Sequence, residues 1–378
     1  MPTPTTAPRK VKLTRVAAVL AIAACGSIGI YGAIVESLRN GFFDVLHNTV
    51  GGGAVLANRY IPGAPEPLKL SYTGVAPIDR YLLGMIGFFS PFLDGERTWD
   101  VDVAYWYMMT HFCAGTGIMG LILQSVTYTV TVPVWLIVHL LTSPVAKGDP
   151  AAAAVDAADM ALLPACAALA FVFPAVMMNL PSPSVVPAAR HYGWIAFWNA
   201  FPLTQAVHHW ILKRLVAPSA SAKRMAAAAA GATAVPFAPE WMAALLTQVD
   251  LSSAFAPTLP RGGKVGGFDF AASFGGSGRR VPGDFLPPLA KIFLQWDVYS
   301  ANAAMLIWAV YVYGVSRSVV TAAAGRSVGY WTSGWLVASK AVGWFMVGGP
   351  VAAATFLMWE RDEAAFRVVA GGGGKKGR

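Results

Sequence analysis

Four carboxyl groups stand within or at the ends of long apolar stretches: Asp79, Asp94, Asp297 and Glu360. An ionisable side chain in hydrocarbon costs about 3 kcal/mol or more, so it normally faces an interior and serves a function there. Asp297 is the most telling of the four. It sits in K-I-F-L-Q-W-D-V-Y-S-A-N, about two helical turns inside its stretch, with Trp296 beside it and Tyr299 near. A carboxyl held in apolar surroundings can keep its proton and act as an acid. A carboxylate paired with Lys291, or one reaching to an interface, is the plainer alternative. Asp79 and Asp94 bracket V-A-P-I-D-R-Y-L-L-G-M-I-G-F-F-S-P-F-L-D-G-E at 75–96. Asp79 also falls in a first helical turn after Pro77, where a carboxylate satisfies open N–H groups and the helix dipole, so both readings stand.

The second chemical resource is aromatic. The chain carries 13 Trp, 12 Tyr and 20 Phe. Many suit an interfacial belt, and Trp106 is in addition a candidate for the wall of a substrate cavity. Those well inside apolar stretches, such as Trp198 and Trp308, suit the wall of a cavity, as do Phe88, Phe89 and Trp296 beside the carboxyls. A desolvated aromatic face stabilises a cation by roughly 0.5–2 kcal/mol. An acid with aromatic walls is what a carbocation cyclisation needs.

Other chemistries lack their residues. Six histidines, with only His208 and His209 adjacent, do not supply the boxes of a membrane di-iron enzyme. Asp156 and Asp159 form a D-x-x-D in an alanine-rich loop, read as polar surface rather than a diphosphate site. Cys25, Cys113 and Cys166 show no C-x-x-C spacing and no disulfide framework. The sequence therefore predicts neither metal nor cofactor. The formal charge of +9 resides in tails and loops, which is orientation information and not a nucleic-acid surface.

These groups must be positioned by helices in a bilayer. Residues are 56% hydrophobic and 12% charged, and mean hydropathy is +0.53. Soluble domains carry about 25% charge, so the expected class is an all-α polytopic membrane bundle of about eight spans. A polar tail at 1–15 precedes six spans within 16–214: 16–35, 75–93, two within the uncharged run 103–142, 160–180 and 192–212. A short interfacial helix is expected around Phe42 to Leu46. The Ala/Gly/Pro-rich connection 215–288 reads as a largely disordered cytosolic loop. Spans at 289–315 and 334–358 complete a second bundle segment, 289–363, before the basic tail 364–378. Basic residues concentrate on the side of the N-terminal tail, which puts both termini in the cytosol and places Asp94, Asp297 and Glu360 toward that side. The ending Lys375-Lys376-Gly377-Arg378 reads equally as an endoplasmic-reticulum retrieval signal or a solvated basic tail.

Several motifs occur in a familiar order. They are I-D-R-Y-L-L-G-M-I-G-F-F-S-P-F-L-D-G, then Gln124 with Y-T-V-T-V-P-V-W-L-I-V-H-L-L-T-S-P, then L-P-S-P-S-V-V and W-N-A-F-P-L-T-Q. L-Q-W-D and G-G-P-V-A-A-A-T-F-L-M-W-E-R-D-E follow. Together they resemble the fungal membrane-bound terpene cyclases of meroterpenoid pathways, of the ascofuranone and macrophorin type, with relatives in indole-diterpenoid clusters. The resemblance implies an enzyme that protonates a prenylated aromatic, or its terminal epoxide, without metal or diphosphate, and the Lys-Lys-x-x ending, read as a retrieval signal, places it at the endoplasmic reticulum. The substrate would be a lipid-like farnesyl or geranylgeranyl chain, with other pathway enzymes at the same membrane. Carried to matching positions, the candidate acids are Asp79, Asp94, Asp297 and Glu360, with Asp297 the proton donor and Asp94 or Glu360 its partner or terminating base. The relatives carry a polar hairpin with a Glu and an Arg between the third and fourth spans. Here F-C-A-G-T-G-I-M-G-L-I-L-Q runs straight through. A non-catalytic transporter or pathway scaffold is the rival reading, though no two matched broken spans mark a transport site.

Overall fold

The apolar stretches fold as helices because each offers an uninterrupted run of helix-compatible residues between Gly/Pro signals. The computed structural model describes residues 7–47, 68–93, 122, 125–149, 157–178, 180, 182–183, 185–216, 286–323 and 330–373, and every regular element among them is helical. Helix α1 spans residues 7–39, as Ala7–Gly29, a wider π stretch Ile30–Val35, and Glu36–Arg39. Gly41, at a φ of 82° that suits a residue without Cβ, turns the chain into α2, Phe42–Leu46. The Asn40 side chain accepts the Phe42 N–H at 3.0 Å and fixes that turn. This is the short helix expected around Phe42.

Helix α3 is Ala76–Leu93 and α4 is Tyr128–Thr142. Helix α5 covers residues 157–178, again with a π stretch, Ala168–Val172, at its middle. Helices α6, Ala188–Asn199, and α7, Phe201–Val216, divide what reads as one sixth span. The break falls at Ala200, two residues before Pro202, which has no N–H to continue the ladder. Helix α8 runs Leu286–Ala323 and α9 runs Tyr330–Gly373.

Helix α9 corrects the expected eighth span. Lys340 and Glu360 are 20 residues apart, about 30 Å along a straight helix, yet they form an ion pair. Trp344 and Phe356 stack with ring centres 3.6 Å apart and planes 9° from parallel. Both pairs are symmetric about Pro350, so the helical run folds back on itself at Gly348-Gly349-Pro350. The glycines supply backbone freedom there and Pro350 breaks the ladder. One 25-residue-scale crossing at 334–358 is thus replaced by two antiparallel arms.

A second correction concerns direction. Helix α8 runs antiparallel to α1: Arg15 donates to the Tyr311 hydroxyl at 3.2 Å, while Gly29 faces Ser300 and Gly32 faces Trp296. It runs parallel to α4, with Asp297 beside Tyr128 and Thr129, and Trp308 beside His139. The start of α8 therefore lies at the Phe42 and Tyr128 end of the bundle, opposite Arg15 and His139. The charge count had placed Asp297 at the Arg15 end. Long connections weigh little in that rule, and 215–288 precedes this helix.

Among the described residues two helices are long and apolar enough to cross a membrane, Leu13–Arg39 and Trp296–Thr321; Tyr128–Thr142 and Leu162–Met178 are shorter apolar helices. The third span and its link to the fourth, the connection 217–285 and the last five residues lie outside the described residues.

Candidate functional site

The first span carries C-G-S-I-G-I-Y-G, which sets Gly26, Gly29 and Gly32 on one edge of α1. That edge lets α1 press on α4 and α8. A Cβ on Gly29 would lie 1.7 Å from Thr129 Oγ1 and 2.1 Å from Ser300 Oγ, and one on Gly32 would lie 2.0 Å from the Trp296 ring. Gly26 meets Pro133, whose Cβ would be 3.0 Å away. Close approach seals a polar cluster in the core: Asp297 and Thr129 are fully buried, with Ser300 and Asn302 almost so.

Within it, Asp297 does the work of a helix cap from another helix. Its Oδ1 accepts the Thr129 N–H at 2.7 Å and its Oδ2 the Tyr128 N–H at 3.2 Å. These are first-turn donors of α4, which have no partner inside that helix. Thr127, the residue ahead of them, makes no side-chain cap. Its φ of 141° and ψ of 151° lie in a region that normally admits only glycine. For a β-branched residue this is strain of about 1–3 kcal/mol, held in place by the packing around it. Thr129 and Ser300 share a short hydroxyl–hydroxyl contact, Ser300 donates to the Trp296 carbonyl at 2.8 Å, and Tyr128 donates to Asn302 Oδ1 at 3.3 Å.

One turn before Asp297, Phe293 opens an aromatic run. It stacks on Phe42 at 5.6 Å and meets Phe43 at 6.2 Å and Phe88 at 5.9 Å edge-on. Phe88 meets Phe89 at 4.8 Å, Phe89 meets Trp198 at 5.7 Å, and Trp198 packs against Phe171 and Phe201. Of the aromatics named from sequence, the structure thus brings Phe88, Phe89, Trp198 and Trp296 to the Asp297 end. Trp308 is elsewhere, donating its indole N–H to His139 Nδ1 at 3.0 Å at the other end of α4.

The four candidate acids are not one constellation. Glu360 is half-exposed, ion-paired to Lys340, and accepts the Tyr313 hydroxyl at 2.7 Å. Tyr313 lies sixteen residues beyond Asp297 on α8, about 24 Å along the axis. Asp79 is buried, and five bonds bind it to the segment before α3: from the Ser71 and Thr73 hydroxyls and the N–H groups of Tyr72, Thr73 and Gly74, at 2.7–3.1 Å. It folds the entry loop and does not cap its own helix. Asp94 and Trp106 lie outside the described residues.

Sequence reasoning did not single out Thr129, Ser300 or the glycine edge, although glycine at every third position of a span is a readable signal of close helix contact. It also missed a cavity of about 770 Å³ between α2, the 70–76 segment and α3, lined by Phe43, Leu46, His47, Leu70, Arg80, Leu83 and Gly84. Beside it, burial pushes the Tyr72 phenol up to about 12. Asp159 binds Lys213 at 2.6 Å and His209 at 3.2 Å, tying α7 to α5. Among the described residues no group of three or more His, Cys, Asp or Glu is placed to hold a metal ion.

The fold and site define a helical, apolar protein with a buried carboxyl beside an aromatic interior. The chain belongs to the CtvD domain family, whose profile matches residues 15–116 and 106–366. The two matched segments overlap at residues 106–116. Curated relatives include the terpene cyclase ascI of Acremonium egyptiacum, 24% identical over 79% of this chain and 80% of its own length. The terpene cyclases atmA of Aspergillus flavus and ctvD of Aspergillus terreus are each 23% identical, over 89% and 91% of this chain and 94% and 97% of their own lengths. No solved structure matches.

Proposed function

We propose that this chain is a bilayer-embedded terpene cyclase of fungal secondary metabolism that protonates the terminal epoxide, or olefin, of a prenylated aromatic. The observation that carries the reading is Asp297, fully buried one turn from Phe293 and the aromatic run that follows it. Membership of a family whose curated relatives are named terpene cyclases supports it. Placement in a membrane is supported by the two long apolar helices and by large side chains turned outward, among them Leu20, Val134, Leu141, Trp335 and Met346.

In this mechanism the Asp297 carboxyl gives its proton to the epoxide oxygen. The C–O bond opens to a hydroxyl, and the neighbouring alkene closes a C–C bond onto the cationic carbon. Each new cation faces Phe88, Phe89, Trp198 or Trp296, whose ring faces favour positive charge. Loss of a proton from the last cation restores an alkene. Asp94, which follows α3 directly, is the proposed base; the separation of Glu360 along α8 speaks for a structural part in its ion-pair network. Asp79, occupied by five donors, shapes the entry loop.

The test is a microsomal assay with farnesylated and geranylgeranylated phenol and indole epoxides. Wild type is expected to give a cyclised product that falls by about a hundredfold or more in Asp297→Asn, the scale of a lost general acid. Correctly inserted wild type that turns over none of these substrates counts against the cyclase and favours a transporter or scaffold.

A further inference from the structure

Resting on that reading, the geometry points to a binding site for an anionic aromatic head at the mouth of the cavity between α2 and α3. The prenyl chain of the same molecule would run inward toward Phe293 and Asp297. The cavity has two chemically distinct parts. Phe43, Leu46, Leu70 and Leu83 give it apolar walls, and its 770 Å³ falls within the range of pockets that enclose molecules of drug size. Arg80 and His47 also line it, and both are exposed at its rim. Lys69, next to Leu70, lies over the Tyr72 ring at 5.7 Å and adds a further positive charge on this side.

The nearest negative charge does not cancel the arginine. Asp79 precedes Arg80 in sequence and also lines the cavity, but its carboxylate is turned into the 71–74 segment and held there by five donors. Asp44 is exposed on α2 and is not among the lining residues. A guanidinium in this position presents a planar fork of donors suited to a carboxylate.

The floor is kept open by Gly84, one helical turn beyond Arg80 on the same face. A Cβ built on Gly84 meets nothing within 4 Å, so packing does not require the glycine. In the interior of a helix a glycine is disfavoured against alanine. A glycine that is neither crowded nor needed for a turn leaves volume. The inner wall connects to the acid: Phe43 lines the cavity and contacts the Phe293 ring, one turn from Asp297.

The experiment uses the full chain, purified in nanodiscs, and measures affinity by calorimetry for farnesyl-hydroxybenzoic acid, its methyl ester, and oleate. Wild type is expected to bind the acid at least tenfold more tightly than the ester or oleate. Arg80→Gln is expected to erase the preference of acid over ester, and Gly84→Leu to lose both ligands while keeping its thermal midpoint. Asp297→Asn, silent in turnover, is expected to bind the acid as wild type does. Equal affinity for acid and ester in wild type, oleate binding as well as the acid, or unimpaired binding by folded Gly84→Leu would each overturn the site. Binding retained in a protein that cyclises nothing would overturn the cyclase alone; turnover retained without the acid preference would overturn the head-group site alone.

Discussion

Two aspartates that both stand out in apolar sequence have different surroundings in the structure. Asp79 gathers five hydrogen bonds from one short loop, whereas Asp297 bridges to another helix and accepts two of that helix's open N–H groups. Asp79→Asn is expected to lower the thermal midpoint and expose the 70–75 segment to protease, because an amide cannot accept at both ends as a carboxylate does. The glycine edge gives a second prediction at this scale. Gly32→Val would drive a side chain into the Trp296 ring, and such overpacking costs about 3 kcal/mol, so the variant is expected to show a clear loss of thermal stability. Gly84→Leu, on a helix face with open space, serves as the control. The aspartates were legible in sequence because a charge in an apolar run stands out. Thr129 and Ser300 were not, since small hydroxyl residues are common in such helices and only the partner across the gap gives them meaning.

At the scale of elements, spans show their limits more clearly than their shapes. The start of α3, the short α2 and the apolar cores of α5 and α8 follow from composition and proline placement, whereas the start of α4 at Tyr128 does not. The fold-back of α9 does not, because its two arms are equally apolar and the run reads as one crossing. Its signal is local, in V-G-G-P, and its proof is long-range, in Lys340 with Glu360 and Trp344 with Phe356. With native cysteines replaced, Lys340→Cys and Glu360→Cys are expected to be joined by a short bis-maleimide linker, read as two fragments held together after cleavage between them. A straight helix would place the pair about 30 Å apart and leave them unlinked.

At the scale of the whole molecule, the parallel course of α4 and α8 sets which ends share a side. Gly148, just past α4, packs against Val315 and Val319 near the end of α8. Cysteines introduced at Lys147 and Ser318 are therefore expected to react with an impermeant thiol reagent from the same face of sealed microsomes, and one at Thr73 from the other. Charge counting reversed α8 because it assigns sides from loops and cannot see how many times a long connection changes side. The all-helical class was legible from composition and the family from the order of motifs. The assembly of the acid's surroundings was not, since it depends on three segments far apart in sequence.

That separation has a consequence for the order in which a ribosome delivers the site. The glycine edge of α1 emerges among the first residues, and α4 offers its uncapped N–H groups in the middle of synthesis. Asp297 arrives only with the last quarter of the chain. Until then the start of α4 has no carboxylate to take its donors and must borrow water or lipid headgroups. Under the proposed mechanism the nascent protein would thus be inert toward prenyl chains, and a transcript that stops short of Leu286 would yield walls without the proposed acid.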